Sequence, residues 1–253
     1  MPDLAAGPAA NAPIRQPEPL ILGRPRATAV LAGLVMAVTA AVFAAVANRA
    51  ALAHIQRVDN FWLRAMVGDR LGPVTAVAKV FNILGLVYVT LPVRLALAAY
   101  LAFRRRWWHL ASFAAAIVFS EILLGPLKAA YDRPRPPGPL VATTAASFPS
   151  GHAVAASVTA IAAVIALVPS GNRRIGWGLA ASFAAAMGLS RAYLAAHWLS
   201  DALAGLLLGT SCALLAASVT DVVQRRWRRN HGPGSHGPPP TSDPIASRSA
   251  GHE

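Results

Sequence analysis

This chain is short of charge. Of its 253 residues only 13% are Asp, Glu, Lys or Arg, while 55% are hydrophobic; a soluble domain carries roughly 25% charged residues. That shortage excludes an ordinary water-soluble globular protein and places the chain among integral membrane proteins. Cysteine is almost missing as well. The single Cys212 lies in an apolar run, which leaves no intrachain disulfide framework and no Cys-based zinc site. Acidic residues number 10 against 23 Lys and Arg, a formal net charge of +13. Such a balance could suit nucleic-acid binding, but the basic residues come in short clusters between apolar runs, as topology signals do. A cleavable signal peptide is not indicated either, because the first apolar run is too long and begins too late.

What is present is a series of apolar runs, each near the ~20 residues that cross a hydrocarbon core. They predict an all-α, six-span transmembrane helical bundle. The spans fall at about 27–47, within 75–102, and at 107–127, 152–169, 175–190 and 198–220. The second is interrupted on paper by Pro92 and Arg94. Residues 48–72 mix polar and apolar groups, including Asp59 and Trp62, and suit an interfacial helix. The organisation expected is a disordered cytoplasmic leader at 1–24, a membrane domain at 25–224, and a basic then disordered cytoplasmic tail at 225–253. An even span count puts both termini on one side. The short loops on that side hold Arg104, Arg105, Arg106, Arg173, Arg174, Arg225 and Arg226, so the positive-inside rule makes it the cytoplasmic side. The polar segments 128–152 and 190–201 then share the extracytoplasmic face.

Those two segments carry three clusters. Lys128, Arg135 and Pro136 stand in KAAYDRPRP, flanked by Asp132 and Arg133, which could tune the cluster; the repeated Arg-Pro fixes the backbone and aims side chains, although lipid-headgroup anchoring explains the charge equally well. Pro149-Ser150-Gly151-His152 precedes the fourth span, where free N–H groups at a helix start form an anion site; plain capping with a surface His is the bland alternative. The third is SRAYLAAHWLSD, with Arg191, His197 and Asp201. If this stretch is helical, His197 and Asp201 are i and i+4 on one face. The carboxylate could then accept Nδ1–H and leave Nε2 as nucleophile or base. An interfacial His beside an acidic first turn fits as well. Together the clusters supply cations, an amide nest and two histidines, which phosphoryl transfer can use without a metal.

In this arrangement the chain resembles the type 2 phosphatidic acid phosphatase family. KX6RP (Lys128, Arg135, Pro136), PSGH (149–152) and SRX5HX3D (Ser190, Arg191, His197, Asp201) match the three family signatures in order and spacing. The family includes membrane lipid phosphatases, soluble acid phosphatases and vanadium haloperoxidases. The resemblance implies that His197 attacks phosphorus and forms a phosphohistidine, that Asp201 orients it, and that His152 protonates the leaving oxygen and later activates water. Lys128, Arg135, Arg191, Ser150 and the amides of Ser150 and Gly151 would hold the phosphoryl group. It also implies no cofactor and no metal. A lipid phosphate in the outer leaflet is then the expected partner, a polyprenyl diphosphate such as undecaprenyl diphosphate first, with phosphatidylglycerol phosphate or phosphatidate close behind. A lipid phosphotransferase using the same site, or a non-catalytic lipid-binding, transport or scaffold protein, is the alternative; nucleic acid is not an expected partner. Outside the motifs, Glu121 is expected to pair with a neighbouring helix or an active-site Arg, and Arg94 and Lys79 to snorkel.

Overall fold

The computed structural model describes residues 23–68, 70–143 and 146–231. The expected leader, apart from Gly23 and Arg24, and the tail beyond His231 lie outside the described residues. Among these the chain is all-helical: α1 (Pro25–Ala47), α2 (Arg49–Gly68), α3 (Gly72–Leu84), α4 (Val87–Phe103), α5 (Trp107–Tyr131), α6 (Gly151–Leu167), α7 (Arg173–Tyr193) and α8 (Leu199–His231), with one 3-10 turn at Ser170–Asn172. α1, α5 and α8 are each long and apolar enough to cross a membrane, and α3 with α4 forms a further apolar pair bent by 56°. α6 is apolar but has 17 residues. α7 has 21 residues, with Arg173, Arg174 and Arg191 among them.

The break in the second apolar segment is not at Pro92, which sits inside an uninterrupted α4. A proline removes one ladder bond, and membrane helices absorb that through their neighbours. The chain breaks instead at Gly85 and Leu86. A Cβ on Gly85 would run into the imidazole of His152, so glycine is what lets this connector pass the head of α6. Irregular backbone at membrane depth is tolerated where protein buries it or it lines a cavity, and Gly85 lines one.

α8 packs against α6 through Gly205 and Gly209, a small-residue pair four apart of the kind that lets membrane helices approach closely. A Cβ on Gly205 would lie 3.0 Å from Ala153 Cβ, and one on Gly209 would lie 2.9 Å from the Val158 backbone nitrogen. The helices therefore meet backbone to backbone, and Ser150 N–H donates to the Asp201 carbonyl at 3.0 Å. This contact fixes the start of α6 against the start of α8.

α8 also continues to His231, past the expected end of the last span near residue 220. Asp221 and Arg225 pair at 2.6 Å one turn apart, and Trp227 meets Trp108 of α5 at 6.1 Å between ring centroids. An i,i+4 ion pair and an aromatic contact carry the helix beyond its apolar stretch. Arg94 does not snorkel. It spans from α4 to Glu121 of α5 at 2.7 Å and to Thr159 of α6 at 3.0 Å, which gives Glu121 the interhelical partner expected of it.

Candidate active site

The C-terminal end of α5, the start of α6, the end of α7 and the start of α8 meet at one end of the bundle, and the connections between them bring all three sequence clusters together. Lys128 stands in the last turn of α5, and Asp132 beyond it takes a left-handed conformation with φ of 35°. That turn sends Arg133 and Arg135 back over the bundle. Lys128 Nζ and Arg135 Nη2 both donate to the Ala146 carbonyl, at 2.7 and 3.3 Å. The peptide bond between Phe148 and Pro149 is cis.

His197 lies in the α7–α8 connection, 4% exposed. Its Nδ1 is 2.7 Å from the Ser147 carbonyl. A carbonyl only accepts, so Nδ1 carries the proton and Nε2 carries the lone pair. Arg135 Nη1 donates toward that Nε2 at 3.2 Å and to the Ala196 carbonyl at 2.6 Å. Asp201 does not take the imidazole proton directly, as the i,i+4 reading supposed; its Oδ2 is 3.7 Å from Nδ1. His197 precedes α8, while Asp201 is the third residue of that helix. The Asp201 carboxylate reaches back to the Trp198 N–H at 2.9 Å, as the third residue of a capping box does, and accepts the Ser147 hydroxyl. Asp201 thus holds Ser147, and the Ser147 carbonyl holds the ring.

Burial pulls the His197 pKa from 6.5 down to about 4; Asp201 opposes this, and Arg135 and Arg191 add to it. The ring is therefore neutral at pH 7, as a nucleophile must be. Because the fold favours the neutral ring, its contribution to stability is complete above about pH 6.5 and is lost as the pH falls toward 4. NMR of histidine-labelled protein in micelles should show this ring titrating near pH 4; a titration at 6.5 would contradict the buried geometry.

Arg191 stands in the last turn of α7, almost wholly buried, with Nη1 on the Asn82 side chain. His152, the second residue of α6, has Nε2 3.2 Å from the Asn82 carbonyl, and lies in electrostatic range of Arg191, His197 and Arg135. Asn82 joins the second and third clusters. A polar Asn inside an apolar span is the sequence signal for it, and Asn82 lies outside all three motifs. The Ser150 amide proposed for the phosphate is already committed to Asp201, as the α6–α8 contact requires. Gly151 and His152 provide the first-turn N–H groups that lack an intrahelical acceptor in any helix. Ser150 Oγ and Arg191 Nε are buried with no hydrogen-bond partner among the described residues. A buried donor left unmet costs about 1–3 kcal/mol, and a phosphoryl oxygen would meet both.

A cavity of about 460 Å³ lies beside this constellation, between α4, α5 and α6. Its wall is mostly apolar, with Leu91, Leu95, Phe113 and Ile117 in it, and it reaches Gly85 and Gly151. Cationic side chains and the first-turn N–H groups of α6 therefore sit next to a largely apolar space.

Residues 106–225 match the family model of the PAP2 superfamily. Among solved structures, the chain is similar to the first transmembrane PAP2-type phosphatidylglycerolphosphate phosphatase from Bacillus subtilis, at 26% identity and a TM-score of 0.68, over 77% of this chain and 98% of that one. It shares a fold with Aquifex aeolicus LpxE, at 23% identity and a TM-score of 0.52, over 61% of this chain and 91% of that one. No curated protein matches the chain by sequence.

Proposed function

From the premise that the chain belongs to the PAP2 superfamily through residues 106–225, we propose that it is a membrane phosphatase that hydrolyses a lipid phosphate through a phosphohistidine. The observation that carries this is the convergence on His197. A neutral imidazole, its Nδ1–H fixed on Ser147, presents Nε2 among Arg135, Arg191 and the first turn of α6.

His197 Nε2 attacks phosphorus in line, an N–P bond forms, and the ester P–O bond breaks. His152 gives its proton to the departing lipid oxygen. Water then attacks the phosphohistidine while His152 takes its proton, the N–P bond breaks, and inorganic phosphate leaves. Lys128, Arg135 and Arg191 neutralise the equatorial oxygens, with Ser150 Oγ and the Gly151 amide as neutral donors. These three cations supply the charge that a divalent ion supplies in other phosphoryl-transfer sites.

The end of the bundle away from the site gathers the α5, α6, α7 and α8 ends that carry Arg104–Arg106, Arg173, Arg174 and Arg225–Arg229. The positive-inside rule supports cytoplasmic termini, with the site at the outer leaflet. Six spans follow if α3 with α4 counts as one and α6 and α7 each cross. α6 is enclosed by α5, α7 and α8, which reduces its need for a long lipid-facing surface.

For the lipid, the 26% likeness to a phosphatidylglycerolphosphate phosphatase moves a glycerolipid phosphate ahead of the polyprenyl diphosphate favoured on sequence alone. The test is phosphate release by purified protein from phosphatidylglycerol phosphate, phosphatidate and undecaprenyl diphosphate in excess chelator. The highest kcat/KM is expected on phosphatidylglycerol phosphate. A preference for undecaprenyl diphosphate would overturn the choice of lipid, and loss of all activity in chelator would overturn the mechanism.

A further inference from the structure

Behind the nucleophile is a buried ionic network that none of the three motifs accounts for. Asp59 is 2% exposed and is the buried residue of α2, an otherwise amphipathic helix. It accepts Arg133 Nη2 at 2.7 Å, the Ser200 N–H at 2.9 Å and the Ser200 hydroxyl at 2.6 Å. Arg133, 5% exposed, spends its other nitrogen on Asp201 Oδ1 at 2.6 Å and Ser200 Oγ at 2.7 Å. Its Nη2 also reaches Gln56 at 2.8 Å, and its guanidinium lies 5.6 Å from the Trp198 ring centroid. A continuous path therefore runs from Asp59 through Arg133, Asp201 and Ser147 to Nδ1 of His197.

Two carboxylates share one guanidinium. Arg133 alone would cancel the charge of Asp201 just where the ring needs it. With Asp59 present the trio carries a net charge of −1. A phosphohistidine that keeps its Nδ1–H carries +1 on the ring, so the buried assembly becomes neutral as the intermediate forms.

We propose that Asp59 and Arg133 are positioning residues: Arg133 holds Asp201 in place, and Asp59 balances Arg133 so that the negative charge of Asp201 remains available to His197. This rests on the phosphohistidine reading and deepens it. The other charged or titratable groups around the ring are Arg135, Arg191 and His152, and Lys128 lies within range of Asp201. None of them changes in the test below.

The test compares wild type, His197→Ala, Asp59→Asn, and Asp59→Asn with Arg133→Gln, all purified in detergent. Asp59→Asn leaves Arg133 opposed only by Asp201, and should lower kcat by about 10- to 100-fold, the scale on which outer-shell partners act. KM should stay within about twofold, because the phosphate-holding cations are untouched. The His197 titration should move still lower than in wild type. The double variant returns the trio to a net −1, so the His197 titration should return toward wild type, while kcat should exceed that of Asp59→Asn and stay below wild type because Asp201 has lost its hold on Arg133. Asp59→Glu should rescue in part.

A clamp that only fastened α2 to the bundle would give the reverse pattern. The double variant would be the less stable and the less active, and the His197 titration would not move. That result, or an unchanged kcat in Asp59→Asn, overturns the inference while an inactive His197→Ala keeps the phosphatase reading standing. An active His197→Ala overturns the phosphatase mechanism itself.

Discussion

Replacing His197 with Ala should lower kcat on a lipid phosphate by about 10⁶-fold, the scale reached when a covalent catalyst loses its nucleophile. Binding should survive, because Lys128, Arg135 and Arg191 come from α5, the loop after it and α7, and none of them depends on the imidazole for its backbone position. The lipid dissociation constant should therefore stay within a few fold of wild type. Arg135 loses one contact at 3.2 Å but keeps Ala196 and Ala146. Because the ring is buried, His197→Gln serves as a second variant that fills the space and removes the nucleophile. Phosphate release measured beside lipid binding checks both halves. A transporter, channel or scaffold predicts intact function in the variant, and residual turnover above about one part in a hundred would contradict the role given to this ring.

His152→Ala should separate the two chemical steps. With a lipid alkoxide as leaving group, loss of the proton donor should cost about 10²- to 10⁴-fold, the usual worth of general acid catalysis. With an aryl phosphate such as p-nitrophenyl phosphate the leaving oxygen needs little help, so the first step should stay fast. The second step still lacks its base. The variant should therefore release about one equivalent of nitrophenol in a burst and then stall, the kinetic mark of an accumulating covalent intermediate. Stopped-flow absorbance reads this directly. Equal losses on both substrates, with no burst, would assign His152 to binding through its Asn82 contact and not to proton transfer.

The placement of the candidate residues was legible where they fall at short spacing within a motif. Lys128, Arg135, Arg191, His152 and His197 are each within a motif, and the apolar runs between the motifs brought them to one end of the bundle. What could not be read was the work done by backbone. No residue type advertises that the Ser147 carbonyl anchors His197, because every residue has a carbonyl; the i,i+4 spacing pointed instead to Asp201, whose carboxylate is one contact further back. The Ser150 amide failed for a related reason, since only the close approach at Gly205 reveals that Asp201 takes it. The bend at Gly85 was hidden because it answers a contact with His152, 67 residues away in sequence, while the local signal at Pro92 proved silent. Asp59 looked like one polar group on an interfacial helix, and its burial depends on Arg133 and Ser200 from distant elements. The length of α8 was understated because hydropathy stops near residue 220, whereas Asp221 pairing with Arg225 carries the helix on.

The most direct measurement is to quench the His152→Ala variant during turnover of labelled p-nitrophenyl phosphate and locate the label. Phosphohistidine is stable in base and lost in acid, so base-stable peptides can be mapped by mass spectrometry. The result predicted is one phosphoryl group per chain, on the peptide containing His197 and absent from the His197→Ala double variant. A phosphoryl group on any other residue, or turnover with no covalent phosphoryl at all, would contradict the account.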